Sequence, residues 1–339
     1  MRKENGIYHK SFYCDDFISC SDGDRIFDIF LLSDIQYCSN ERGIKWLNVK
    51  LKDKRGEMRA KIWSEKIMME YEGYKNRIVY ISGNVTFYGG KPEFIIEKMK
   101  LAPENEIVVT EIIKMLSPEK IQSYGNLILC LKNKIQSEEI RTFVEYLINE
   151  ETLRKMAKLP VSLSGHLAYK GALLEHTCEV ATAAYYYAKS TEGIRAEKYD
   201  IDMIIAGAML HEYDRLSYFK ADGYGYLVGP EKKLFGRRYL LLSMLNCAYE
   251  KCFHKPEEKI SETTLAMLMH IIDATHKDIE PVTMEAMVVK RMDMLSAELE
   301  MFESSYISRE KYDAKLDFLW STELKREICT IRREQLNDK

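Results

Sequence analysis

No stretch of the 339-residue chain approaches the run of ~20 apolar residues that crosses a bilayer. The N-terminus, MRKENGIYHKSF, carries charges with no apolar segment behind it, so no secretory signal is expected. The eight cysteines form no C-x-x-C pair. That excludes the usual zinc knuckle and argues against a disulfide framework. Cys130, Cys178 and Cys247 lie in apolar stretches and are expected to be buried, reduced thiols of a cytoplasmic protein. Net charge is also scarce, at -3. A surface positive all over is therefore excluded, and any contact with a polyanion must come from a local patch. Internal repeats and low-complexity linkers are absent too.

What is present is a change of texture near residue 104. Before it the chain reads as strands. In IKWLNVKL (44–51) Leu47, Val49 and Leu51 alternate with Trp46, Asn48 and Lys50. After the turn at 53–56, Met58, Ala60 and Ile62 alternate with Arg59, Lys61 and Trp63. IFDIFLLSDIQYC (26–38) fits a long first strand. RIVYISGNVTF (77–87) fits another, with Gly83 marking a bulge or bend. Tyr88-Gly89-Gly90-Lys91 turns the chain into PEFIIEKMKL and completes a hairpin. Five such strands predict a small closed barrel of the OB type over 1–104. Beyond it the spacing predicts helices: a connector over 105–160 broken at Ser117-Pro118, a bundle over 161–310 and a charged helical tail over 311–339. The fold class expected is α+β multidomain, an all-β barrel followed by an all-α bundle.

The outer barrel face has chemistry of its own. Trp46 and Trp63 offer flat stacking surfaces, and Lys50, Arg59 and Lys61 lie beside them. Bases stack on rings for about 1–3 kcal/mol each while cations follow the phosphates, without demanding a sequence. The competing reading is that one tryptophan packs under a loop and the lysines only solubilise the barrel.

In the helical half, His166 lies in an approach loop, His176 in the first turns of a helix and His211-Glu212 at the end of an apolar helix. His270 and His276 follow, and Asp293 sits inside a late helix. Histidines and carboxylates from separate helices are how a bundle builds a metal site. Each residue alone has a plainer reading, as a helix cap or an ion-pair partner.

The strings HLAYKGALLEHT (166–177), AGAMLHE (206–212) and EAMVVKRMD (285–293), taken in that order, resemble the HD phosphohydrolase superfamily. Within it the chain is most similar to the YhaM-type 3′→5′ exoribonucleases, which carry an OB-fold ahead of an HD domain. The likeness covers roughly residues 20–305. It implies His176, His211, Glu212 and Asp293 as metal ligands, with His166 and Arg215 as catalytic contacts. Glu212 stands where the family has aspartate and reaches ~1.5 Å further. Asp214-Arg215 stand where the family has a small residue and lysine, Gly236-Arg237 where it has glycine-histidine, and Thr275-His276 where it has paired histidines. A guanidinium does not ligate a cation, so a second metal is not expected unless His270 or His276 takes its place. Arg237 and His276 become candidate phosphate contacts.

Two nitrogens and two carboxylates suit Mn²⁺, with Fe²⁺, Zn²⁺ and Mg²⁺ as alternatives. The implied activity is a metal-dependent 3′→5′ exonuclease on single-stranded nucleic acid, RNA ahead of DNA. The alternatives are an HD protein that lost its chemistry and serves as a nucleic-acid-binding or regulatory module, and a phosphohydrolase of small nucleotides. No membrane partner is expected. In the run Tyr185-Tyr186-Tyr187 at least one ring must be exposed, as a homo-oligomer contact or a half-buried core edge.

Overall fold

The computed structural model describes residues 1–163, 167–195, 197–255, 259–312, 318–321 and 324–329. The chain divides into two compact units. The first is Met1–Met115 with Lys220–Leu227, and the second is Leu116–Phe219 with Val228–Lys339.

The first unit opens with a short hairpin, β1 (Arg2–Glu4) and β2 (Ile7–His9). The barrel follows as β3 (Arg25–Ser39), β4 (Lys45–Asp53), β5 (Gly56–Ile62), β6 (Arg77–Tyr88) and β7 (Lys91–Leu101). Helix α1 (Glu65–Glu70) lies between β5 and β6. The sheet closes in the order β3-β4-β5-β7-β6, with β6 returning to β3. All pairs are antiparallel except β5 with β7. The expected alternation holds on β4 and β5: Leu47, Val49, Leu51, Met58, Ala60 and Ile62 point inward and are buried. They meet Phe17, Phe30 and Phe94 in one continuous core. Each of these side chains larger than Ala60 stabilises the barrel by about 1.5–3 kcal/mol when removed from water.

Gly83 marks the register shift between β6 and β7. A Cβ there would lie 1.9 Å from the backbone oxygen of Ile95, so only glycine lets the two strands approach this closely.

The barrel unit runs further than residue 104. Ile107 and Ile112, the latter in α2 (Val109–Ile112), are buried with Ile29 and Ile78 on the outside of the sheet. Glu111 accepts from the backbone N–H of Lys10 at 2.9 Å. These anchors place 105–115 with the barrel rather than with a helical connector. The hairpin β8 (Phe219–Asp222) and β9 (Gly225–Val228) is a second departure, because 219–228 was expected to belong to a helical bundle. The strands turn through Asp222-Gly223-Tyr224-Gly225. Its residues Lys220–Leu227 belong to the barrel unit, where Asp222 pairs with Arg77 at 3.0 Å and Tyr224 N–H donates to the Asn76 carbonyl at 2.8 Å.

The second unit holds α3 (Pro118–Lys132), α4 (Glu138–Leu147), α5 (Glu150–Met156), α6 (Ala172–Thr191), α7 (Ile201–Leu210) and the single turn α8 (Arg215–Tyr218). Then come α9 (Pro230–Cys252), α10 (Glu262–Asp273) and α11 (Met284–Tyr312). Side-chain caps start several of them. Ser117, Ser137, Asn149, Asp200 and Ser261 each accept from a backbone N–H three residues on. Helix α7 is apolar apart from Asp202 in its first turn and packs between α6, α10 and α11. Gly207 makes that possible, since a Cβ there would meet the Ile271 side chain at 2.4 Å.

The expected all-α character and helical tail need correction. β10 (Phe318–Ser321) and β11 (Arg326–Cys329) form an antiparallel hairpin. Ser321 and Ile328 are buried, which gives this segment an inner side that a solvated helix would lack. Cys130 and Cys247 are exposed, contrary to expectation, whereas Cys14 and Cys178 are buried; all eight thiols are free. Among the described residues no helix is long and apolar enough to cross a membrane.

Candidate metal centre and barrel face

Three of the helices deliver one side chain each to a common point. His176 comes from the second turn of α6, His211 caps α7, and Asp293 comes from α11. Both histidines are buried, while the Asp293 side chain is 20% exposed and reaches a cleft. One ligand atom from each residue lies within 4.8 Å of the other two.

The surrounding hydrogen bonds fix the tautomers. His211 Nδ1 lies 2.7 Å from the Ala208 carbonyl, which only accepts, so Nδ1 carries the proton. Ser296 Oγ donates to Glu179 at 2.6 Å and therefore accepts from His176 Nδ1, 3.0 Å away. Both Nε2 atoms are then left with lone pairs, and they face each other at 3.2 Å. Asp293 Oδ1 adds a third acceptor, 3.0 Å from His176 Nε2 and 3.7 Å from His211 Nε2. Three electron-rich atoms converge with no donor between neutral rings. Only a bound cation or a proton on one ring makes this arrangement favourable.

The electrostatics agree. Burial disfavours a charged His211, but the hydrogen bond and charge of Asp293 outweigh it and raise the imidazole pKa. Burial opposes ionisation of Asp293 as well, and its bonds to His176 and His211 override this and hold the carboxyl far below its usual range. Two nitrogens and one carboxylate oxygen, with outer hydrogen bonds orienting the rings, fit a divalent transition metal with coordination positions left open.

Glu212 is not part of this convergence. Its Oε2 is 2.5 Å from Arg215 Nε and 2.7 Å from Arg237 Nη2. Burial would raise its pKa, yet these guanidinium charges hold it down, to about 2. Arg237 also grips Asp214, through Nε at 2.8 Å and Nη2 at 3.2 Å. Sequence reasoning placed Glu212 among the ligands because it fills the signature position. It had no means of seeing two arginines claim the carboxylate.

Arg215 is buried beside Glu212 and bonds to the Tyr218 hydroxyl. It does not line the cleft, so its expected role as a catalytic contact lacks a route to substrate. A cleft of about 460 Å³ is lined by Glu212, Arg237, Arg238, His276 and Asp293, among others. His276 Nε2 is buried there without a hydrogen-bond partner. Burial and the charge of Arg237 lower the pKa of this ring and keep it neutral. His270 has a structural task, accepting from Val282 N–H at 3.0 Å. His166 lies outside the described residues. Tyr186 is the exposed ring of the tyrosine run.

On the barrel, β4 and β5 pair Asn48 with Lys61 and Lys50 with Arg59, so the expected basic and aromatic residues share one outer face. The Trp46 and Trp63 rings lie 5.3 Å apart, tilted by 32°. Lys50 and Lys61 are less free than the sequence suggests, since they pair with Glu57 at 2.9 Å and Glu93 at 2.8 Å. Tyr88, missed earlier, extends the face. It is 79% exposed at the β6–β7 turn, and Lys61 Nζ lies 5.4 Å from its ring centre. An aromatic directly before Gly-Gly at a hairpin tip was the available signal.

The closed order, with one parallel pair between β5 and β7, decides the fold of this unit. It is an OB-type barrel. Solved structures similar to it include the mitochondrial single-stranded DNA binding protein Rim1 of S. cerevisiae, at 10% identity over 24% of this chain and 95% of that one, with a TM-score of 0.22. The second OB-fold domain of replication protein A from Methanococcus maripaludis matches at 18% identity over 31% and 97%, TM-score 0.19. A replication protein A heterotrimer bound to ssDNA matches at 9% identity over 29% and 83%, TM-score 0.23. The fold assignment rests on strand order and closure rather than on these scores. No protein-family model matches the chain.

Proposed function

We propose that the chain is a metal-dependent phosphodiesterase of the HD type that degrades single-stranded nucleic acid, RNA ahead of DNA, from the 3′ end. The observation that carries this reading is the convergence of His176 Nε2, His211 Nε2 and Asp293 Oδ1 at the edge of a cleft lined by arginines. Those three residues would hold one divalent ion, Mn²⁺ by preference. When bound, such an ion lowers the pKa of a coordinated water and polarises a phosphoryl oxygen. Ser296 and Glu179 keep His176 in the ligating tautomer, as the Ala208 carbonyl does for His211. Arg237 and Arg238 stand in the cleft wall, each also paired with acids, and the neutral His276 beside them would meet a phosphate oxygen through a ring N–H. The barrel face of Trp46, Trp63, Lys50, Arg59 and Lys61 binds the strand by stacking and charge.

A second reading is favoured by the capture of Glu212 between Arg215 and Arg237. If three ligands are too few, the helical unit is a scaffold and the barrel carries function through binding alone. A nuclease assay with 5′-labelled single-stranded RNA and DNA separates the two. Under the leading reading Mn²⁺ yields a ladder of shortened products that chelator and His211→Ala both abolish. Intact substrate with retained strand binding would assign the protein to the second.

A further inference from the structure

The segment Lys232–Tyr239, K-K-L-F-G-R-R-Y, contains four cations and no acid. It forms the early part of α9 and carries that helix through a kink at Gly236, where φ is 77° and ψ is 162°. A side chain is strained in that backbone conformation, so glycine sets the break. The break lies between two large rings that face solvent. Phe235 is 57% exposed and Tyr239 59%, and Leu234 before them is 74% exposed. The ring centroids of Phe235 and Tyr239 are 5.4 Å apart, tilted by 35°. The three side chains thus place exposed apolar surface on both sides of the kink. The same segment supplies Arg237 and Arg238 to the cleft that Asp293 enters. The Arg238 side chain is 60% exposed even while it pairs with Asp273 at 2.8 Å, and Lys233 is exposed as well.

We infer that residues 232–239 form a second contact for single-stranded nucleic acid, within the helical unit itself. A base stacks on the Phe235–Tyr239 pair, Lys233 and Arg238 hold flanking phosphates, and the strand continues along Arg237 into the cleft. The inference rests on the nucleic-acid reading above and adds residues that it does not use. Charge selects the occupant. A protein-binding patch is depleted in lysine at its core, whereas exposed rings beside the exposed Lys233 and Arg238, the latter still 60% open while paired with Asp273, match a polyanion that also carries flat bases. The barrel shows the same combination in Trp46, Trp63 and Arg59. Here it stands beside the candidate metal ligands.

The test is photocrosslinking of a short oligouridylate containing 4-thiouridine to the full-length chain, with chelator present to stop cleavage, followed by peptide mapping. The inference expects a crosslinked peptide containing Phe235 or Tyr239. It expects that yield to fall about fivefold or more when both rings are replaced by alanine, since each base–ring stack is worth about that factor. The swap Phe235→Tyr with Tyr239→Phe keeps two flat rings and should keep the crosslink. Crosslinks confined to barrel peptides would overturn the inference. So would a change from dimer to monomer in the alanine variant by light scattering, which would assign the rings to a second copy of the chain. A parallel cleavage assay with Mn²⁺ distinguishes the two claims. A crosslink without cleavage leaves this surface standing and removes the hydrolytic reading, whereas cleavage without a crosslink at 232–239 does the reverse.

Discussion

Replacing Arg237 by methionine tests whether the buried ion network holds the helical unit together. The change keeps most of the side-chain volume and removes the guanidinium. Asp214, fully buried, then loses contacts of 2.8 and 3.2 Å to that group, and Glu212 loses one of 2.7 Å. Glu212 keeps Arg215, but Arg237 is the ion partner of Asp214 among the described residues. Stranding a buried charge costs about 3–5 kcal/mol. The Arg237 side chain is 25% exposed, so water can reach the vacated site and the lower end applies. At about 2–4 °C per kcal/mol for a domain of this size, the melting transition should fall by about 6–12 °C. Adding Asp214→Asn removes the stranded charge, and the double variant should recover more than half of that loss. Thermal unfolding followed by circular dichroism measures both. A single variant within about 2 °C of the parent, or losses that simply add, would refute the argument.

Gly83→Ala should destabilise the barrel by about 1–3 kcal/mol or more, because its Cβ meets a backbone oxygen that has no room to retreat. Urea unfolding reads this, and an unchanged midpoint would contradict the close approach of β6 and β7. Replacing Trp46 and Trp63 together by alanine should weaken oligonucleotide binding about tenfold in an anisotropy titration and leave mononucleotide hydrolysis unchanged. Equal losses on both substrates would instead place the tryptophans in the fold of the whole chain.

The pH dependence of the metal-free protein follows from His211 and Asp293. The raised His211 pKa contributes stability that is full below the ordinary value of 6.5 and is lost as pH rises through the folded pKa. The depressed Asp293 pKa contributes stability that is full above the ordinary value of 3.8 and is lost as pH falls toward the folded pKa. Metal-free melting temperature should therefore decline above about pH 6.5, and His211→Gln should flatten that decline. A melting profile indifferent to this substitution would contradict the pairing.

The barrel was legible because its strands face two environments. Period-two alternation of Leu47, Val49 and Leu51 with Trp46, Asn48 and Lys50 marked the core-facing and outer sides of β4. Gly83 announced the irregularity at which β6 and β7 shift register. The helices were legible for a related reason, their apolar periodicity, and the break expected at Ser117-Pro118 is where Ser117 caps the start of α3. The hairpins at 219–228 and 318–329 were missed because each is only two short strands whose pairing depends on a neighbour elsewhere in the chain. His176, His211 and Asp293 stood out by residue type and order, and the structure brings them together. Glu212 shows what order cannot convey: its carboxylate follows the nearest positive charge, and Arg237 arrives from another helix. Lys50 and Lys61 make the same point on the barrel, where the acids that pair with them lie across strands.

The central claim is that His176, His211 and Asp293 hold a catalytic metal without Glu212. Calorimetric titration of the metal-free chain with Mn²⁺ tests it most directly, beside Asp293→Ala and Glu212→Gln. The account predicts a single ion per chain, binding lost in Asp293→Ala and retained in Glu212→Gln. No binding by the parent chain, or binding abolished equally by Glu212→Gln, would contradict it.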